Sequence, residues 1–216
     1  MTPIEKLVSI AKGELGYTEQ PKNSNNTKYG QVYGIQGVYW CVMFLWWLYR
    51  EAGLSSIFYD GKRVASCREL LNWAKKNNRT VSVTEITVGD IVLLSFSKTS
   101  DPEHCGLVVD ASDFHSYFKT IEGNTTPGEE GSQDNGGCVA LKTRSVKNVV
   151  AVIRPDYDKL DYIGHWAEDD IFWGIEKGLV KGYDDGGFKP NKALTRAEMI
   201  TLLRRYDDYR FGGSNK

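Results

Sequence analysis

The stretch 37–53, GVYWCVMFLWWLYREAG, constrains the fold more than any other part of the chain. From Val42 to Tyr49 every residue is apolar or aromatic, so a helix here is hydrophobic on all sides and has to lie inside the protein. The run stops at Arg50 and Glu51, well short of the roughly 20 apolar residues that a bilayer span requires, and Gly53 supplies a C-terminal cap. A central buried helix is the expectation. Gly37, Tyr39 and Trp40 mark its entry and put Cys41 in the first turn, where unpaired backbone N–H groups and the positive helix end favour a thiolate. A cysteine in an apolar run is usually just a small buried hydrophobe. A nucleophilic thiol also needs an imidazole to take its proton and a polar group to orient that imidazole. His104 in EHCGLVVD and Glu122 in TIEGN supply both.

A chain of 216 residues can hold one domain with an appendage or two modest domains. With 27 basic residues against 28 acidic ones, it has no overall field to recruit nucleic acid or an anionic membrane. The first 16 residues place Ile4, Leu7, Val8, Ile10 and Ala11 at helical spacing, and charges interrupt them, unlike the apolar core of a secretory signal. Synthesis in a host cytoplasm without a cleavable leader is therefore expected. Four cysteines, Cys41, Cys67, Cys105 and Cys138, would allow two disulfides in three connectivities, but no pair is spaced CxxC. Free thiols are the expectation, and the same spacing argues against zinc.

Residues 16–37 are rich in Asn, Gly and Tyr and read as a long ordered loop leading to Cys41. Its tyrosines are expected to serve two ends, some lining a groove and some covering the core. SCRELLNWAKKNN reads as an amphipathic surface helix capped by Ser66. The pattern then changes. ITVGDIVLLSF, HCGLVVDAS, FKTIEGN, CVALKTRS and VVAVIRP are five short β-rich runs divided by Gly, Asp, Asn and Pro. Helices first and strands later imply an α+β fold, with a largely antiparallel sheet packed on the Cys41 helix. In such a sheet His104 and Glu122 can be neighbours. The polar loop after Asn124 reads as a solvent-exposed rim. His115, between strands, has no partners of this kind and reads as a loop residue.

WCVMF, GDIVLLSF, HCGLVV and IEGNT, in that order within residues 1–155, resemble the CHAP branch of the NlpC/P60 cysteine peptidases. The resemblance implies a papain-like α+β fold and cleavage of peptidoglycan, at the muramoyl–L-alanine amide or within the peptide. It implies Cys41 as nucleophile, His104 as general base, Glu122 as its orienting group and Asn124 as an auxiliary polar group. Some relatives bind calcium through an Asp-rich loop before the nucleophile. The corresponding NTKYGQVYGIQGVYW has no acid, so no metal or other cofactor is expected.

After a linker at 156–160, residues 161–210 resemble a single S-layer homology repeat, through HWA, GYDDGGFKPN and LTRAE, with 211–216 as a flexible tail. The residues themselves read as helix, Gly-rich turn, helix. Ile171, Ile175 and Leu179 share one face, Met199, Leu202 and Leu203 another, and Thr195 is the N-cap or a first-turn residue. Such repeats bind secondary cell-wall polysaccharide. Arg196 would contact an acidic sugar substituent and Trp166 would offer a stacking surface, while a salt bridge to a neighbouring acid is the competing reading of Arg196. A lone repeat has little core of its own, so it either docks on the catalytic domain or brings copies of the chain together.

These features imply a lysin of phage or prophage type, without membrane insertion, that acts at the bacterial wall. The alternatives are a bacterial autolysin or spore-associated hydrolase, and a wall-binding module whose Cys41 is merely packed.

Overall fold

In a computed structural model the protein is described at residues 2–113, 115–128, 132–183 and 187–212. The chain divides into two compact units, Met1–Pro155 and Asp156–Lys216. Helix α1, Pro3–Gly13, opens on a capping box: Thr2 Oγ1 accepts from the Glu5 amide and the Glu5 carboxylate accepts from the Thr2 amide. It buries Leu7, Val8 and Ala11. The loop that follows is not wholly irregular. Thr27 caps a short helix α2, Lys28–Tyr33, closed by Gly34 in the left-handed region. Its tyrosines divide as expected, with Tyr29 fully buried and donating to Glu14 while Tyr39 stands exposed.

Helix α3, Cys41–Glu51, is the apolar run. Seven of its eleven residues are buried, and Trp46 and Trp47 are half-buried. Each large side chain so buried contributes on the order of 1.5–3 kcal/mol. Tyr29, Trp40, Phe44 and Trp47 form a ring cluster at its start, with centroids 5.0–5.4 Å from Tyr29. Helix α4, Cys67–Lys76, is capped by Ser66.

Six strands follow where the sequence suggested five: β1 Thr80–Val81, β2 Ile91–Leu94, β3 His104–Asp110, β4 Tyr117–Thr125, β5 Cys138–Ser145 and β6 Val149–Ile153. The extra one, β1, has two residues and carries no periodicity. They form one sheet in the order β1-β6-β2-β3-β4-β5, and every pairing is antiparallel. Buried Asp90, just before β2, receives both arms of Arg154 at 2.8 and 2.9 Å and so ties β2 to the end of β6. One face of the sheet packs on α3: a Cβ added at Gly123 would fall 2.6 Å from Phe44 Cβ and 2.7 Å from the Trp40 ring.

In the second unit, residues 157–159 form a 3-10 turn and Leu160 is buried, so this stretch is folded rather than a free tether. Asp161 accepts from the amides of Phe188 and Lys189, both at 2.7 Å. Helix α5, Glu168–Glu176, buries Ile171, and Leu179 is buried beyond its end. Helix α6, Arg196–Phe211, starts at a Thr195–Glu198 capping box and ends at Gly212. The apolar face of α6 is largely uncovered. Met199 and Leu203 are exposed and Leu202 is half-buried, because one repeat offers them no second layer. The expected flexible tail lies, from residue 213, outside the described residues, as do residues 129–131 of the expected rim and 184–186 of the Gly-rich turn. Among the described residues no helix is long and apolar enough to cross a membrane.

Candidate active site

Cys41 is the first residue of α3. Its N-cap is Trp40, whose side chain makes no capping hydrogen bond, so the amide donors of the first turn are left uncapped by it. His104 is the first residue of β3, and Glu122 lies in β4. The antiparallel β3–β4 pairing brings the two together although 18 residues separate them: His104 Nε2 is 3.0 Å from Glu122 Oε2. Both are fully buried, and Cys41 is 5% exposed.

A buried carboxylate is costly unless several donors hold it. Phe118, Thr120 and Glu122 share one face of β4, and Arg144 joins that face because it pairs with Phe118 across β5. The Arg144 guanidinium, 4% exposed, donates through Nε at 2.8 Å to Glu122 Oε1 and through a second nitrogen to Oε2. Thr120 donates to Oε1 at 2.5 Å, and Gln133 and the Phe96 ring hold the far side of the guanidinium. Gly106 makes room for this, since a Cβ there would lie 2.7 Å from Glu122 Cγ. Burial would raise the Glu122 carboxyl, but Arg144 and His104 overcome it and hold it down at about 2.

The thiol and the imidazole sustain each other's charge. Hydrogen bonds from Cys105 and Cys67 pull the Cys41 thiol well below its ordinary value; burial opposes them and His104 adds to the pull. Burial would lower the imidazole, but Cys41 and Glu122 raise it to about 9. Both shifts favour the thiolate and imidazolium form of the pair. Nδ1 of His104, buried, has no well-aligned hydrogen-bond partner.

Asn124 is fully buried next to this network, in the left-handed region at φ 60°, where β4 breaks register with β5. Its side-chain amide hydrogen-bonds to nothing among the described residues, His104 and Glu122 included. His115 lies in the turn before β4. Residues 32–39 and the segment before α4 border a cleft of about 600 Å³, lined by Tyr33, Tyr39, Arg63, Val64, Ser66 and Glu69. Tyr39 precedes Cys41 by two residues and Ser66 directly precedes Cys67, while neither cysteine lines the cleft.

Sequence reasoning missed Arg144 and the two thiols beside Cys41. The signal for Arg144 was Lys142 and Arg144 two apart in CVALKTRS, hence on one side of a strand. No local pattern points to Cys67 or Cys105. In the second unit Trp166 is 89% exposed, its ring 5.4 Å from that of His165. Arg196 is exposed and makes no ion pair among the described residues.

Residues 32–124 match the family model of the CHAP domain, and residues 160–200 that of the S-layer homology domain. The first match lies in the first unit and the second match in the second. The second matches the S-layer protein sap of Bacillus anthracis, 54% identical over 39 residues, 18% of this chain and 5% of that one. It also matches a cellulosome-anchoring protein of Acetivibrio thermocellus, 42% identical over 45 residues, 21% of this chain and 10% of that one. The chain therefore corresponds to a small fraction of these curated relatives. A crystal structure of a wild-type endolysin, LysIME-EF1, superposes with a TM-score of 0.46 at 17% identity, covering 73% of this chain and 66% of that one.

Proposed function

We propose that this chain, a CHAP domain followed by an S-layer homology domain, is a cysteine-dependent peptidoglycan hydrolase, a lysin whose second unit holds it at the bacterial wall. The observation that carries the reading is the relay of Cys41, His104 and Glu122 at the open start of a buried helix. In this reading the Cys41 thiolate attacks the carbonyl of a stem-peptide amide, and the oxyanion takes the Cys41 N–H as one donor. The His104 imidazolium gives its proton to the leaving amine, and the neutral ring then draws a proton from the water that opens the thioester. Glu122 keeps the ring oriented and Arg144 keeps Glu122 ionised. Tyr39, Arg63 and Glu69 in the adjoining cleft suit an extended peptide carrying charges of both signs.

Trp166 and Arg196 are exposed, as contacts to a wall polysaccharide need to be. The bared Met199 and Leu203 are where a further repeat, or a copy of this chain, would pack. The test is mass spectrometry of fragments released from purified walls. Wild-type protein should leave new amino termini, either on L-alanine or inside the stem peptide, and Cys41→Ala should release none. New reducing sugar ends, or fragments from Cys41→Ala, would end the reading.

A further inference from the structure

We propose that Cys41, Cys67 and Cys105, with Nδ1 of His104 as fourth ligand, form a zinc site, and that zinc binding there shuts the nucleophile off. The three sulfurs lie within 4.8 Å of one another, and Cys41 and Cys67 are 3.9 Å apart. Sulfurs around tetrahedral zinc, at about 2.3 Å each, stand about 3.8 Å apart, so closing the three sulfurs onto the ion needs shifts of only about an ångström or less, while the His104 ring, outside that set, has to move further.

The ligands come from three well-anchored places: the first residue of α3, the first residue of α4 and the second residue of β3. Two are helix starts, which favour thiolates. In β3, Cys105 pairs with Leu93 and His104 with Leu94 across the sheet. The spacing that argued against a metal says nothing of this convergence.

His104 is the independent pointer. Its Nδ1 is buried without an aligned partner, while Nε2 is held by the Glu122 carboxylate at 3.0 Å. A carboxylate on the far nitrogen fixes the tautomer that a ligating imidazole needs. Two thiols donating to one thiolate are also the protonated form of a metal-binding set. Binding replaces the protons of Cys67 and Cys105 and the Nδ1 proton of His104, so one Zn²⁺ enters as three protons leave. Cys138 stands outside the set, its sulfur 2.9 Å from the carbonyl of Thr125.

The full chain, reduced with a phosphine and stripped by a chelator, is titrated with Co²⁺ and then with Zn²⁺. One cobalt per chain is expected, with a near-ultraviolet sulfur-to-cobalt band that zinc abolishes. Cys67→Ser and Cys105→Ser should each remove about a third of that band and weaken binding at least about tenfold, whereas Cys138→Ser should change neither. The cadmium NMR shift of the unsubstituted chain counts its sulfur ligands independently of how the variants fold. A shift typical of one sulfur, or a cobalt band indifferent to both serines, overturns the site. These readouts need no wall substrate, so they stand or fall apart from the hydrolase reading. Zinc should also halt wall hydrolysis, with recovery on chelation, and hydrolysis that persists at full occupancy would overturn the inhibition.

Discussion

Helices α3 and α6 are stabilised in opposite ways. Helix α3 has no side-chain cap and seven buried residues; α6 has a full capping box and none. The first is held by what surrounds it, so its starting amides need no local partner and remain available for chemistry. The second is held by its own ends, so its long face stays open to a partner. Burial supplies rigidity where atoms react, and local hydrogen bonding supplies a helix where a surface has to be displayed.

Removing residues 156–216 is the largest intervention on that contrast. It should abolish sedimentation with intact walls and leave turnover of a soluble muropeptide in place; loss of both would mean that the two units do not divide the labour. Arg144→Ala comes next, because it leaves the buried Glu122 carboxylate uncompensated. A loss of about 3–5 kcal/mol in urea unfolding of the first unit is expected, and a loss below about 1 kcal/mol would show that solvent reaches Glu122 freely.

A smaller effect is expected from Glu122→Gln. The raised imidazole keeps its proton below about 9, so activity should fall as pH rises through that value. Without the carboxylate the imidazolium is less favoured, and the alkaline limb of the pH–rate profile should move to lower pH. A limb that stays in place would remove Glu122 from the relay. The smallest effect belongs to Thr195→Ala, which should cost the second unit about 1 kcal/mol through its lost cap. Muropeptide turnover should not respond to it.

Much of the first unit was legible because its signals are local. The apolar run could only be a buried helix, Ser66 announced a helix start, and His104 opened one β-rich run while Glu122 closed another, both with recognisable surroundings. Arg144 was not legible because a strand reading Leu-Lys-Thr-Arg looks like one turning its charges to water. Here those charges are 2% and 4% exposed, Arg144 on Glu122 and Lys142 on the carbonyl of Thr126. Proximity of Cys67 and Cys105 to Cys41 arises only when α4 and β3 reach the start of α3. Met199 and Leu203 are the converse case, since an amphipathic period reports a face that can be covered and not what covers it.

A sulfur in a residue that shows only 5% of its surface has a consequence for what reaches it. With so little of Cys41 showing, the proposed attack favours a slender amide over a bulky group at the carbonyl, whatever carries that amide.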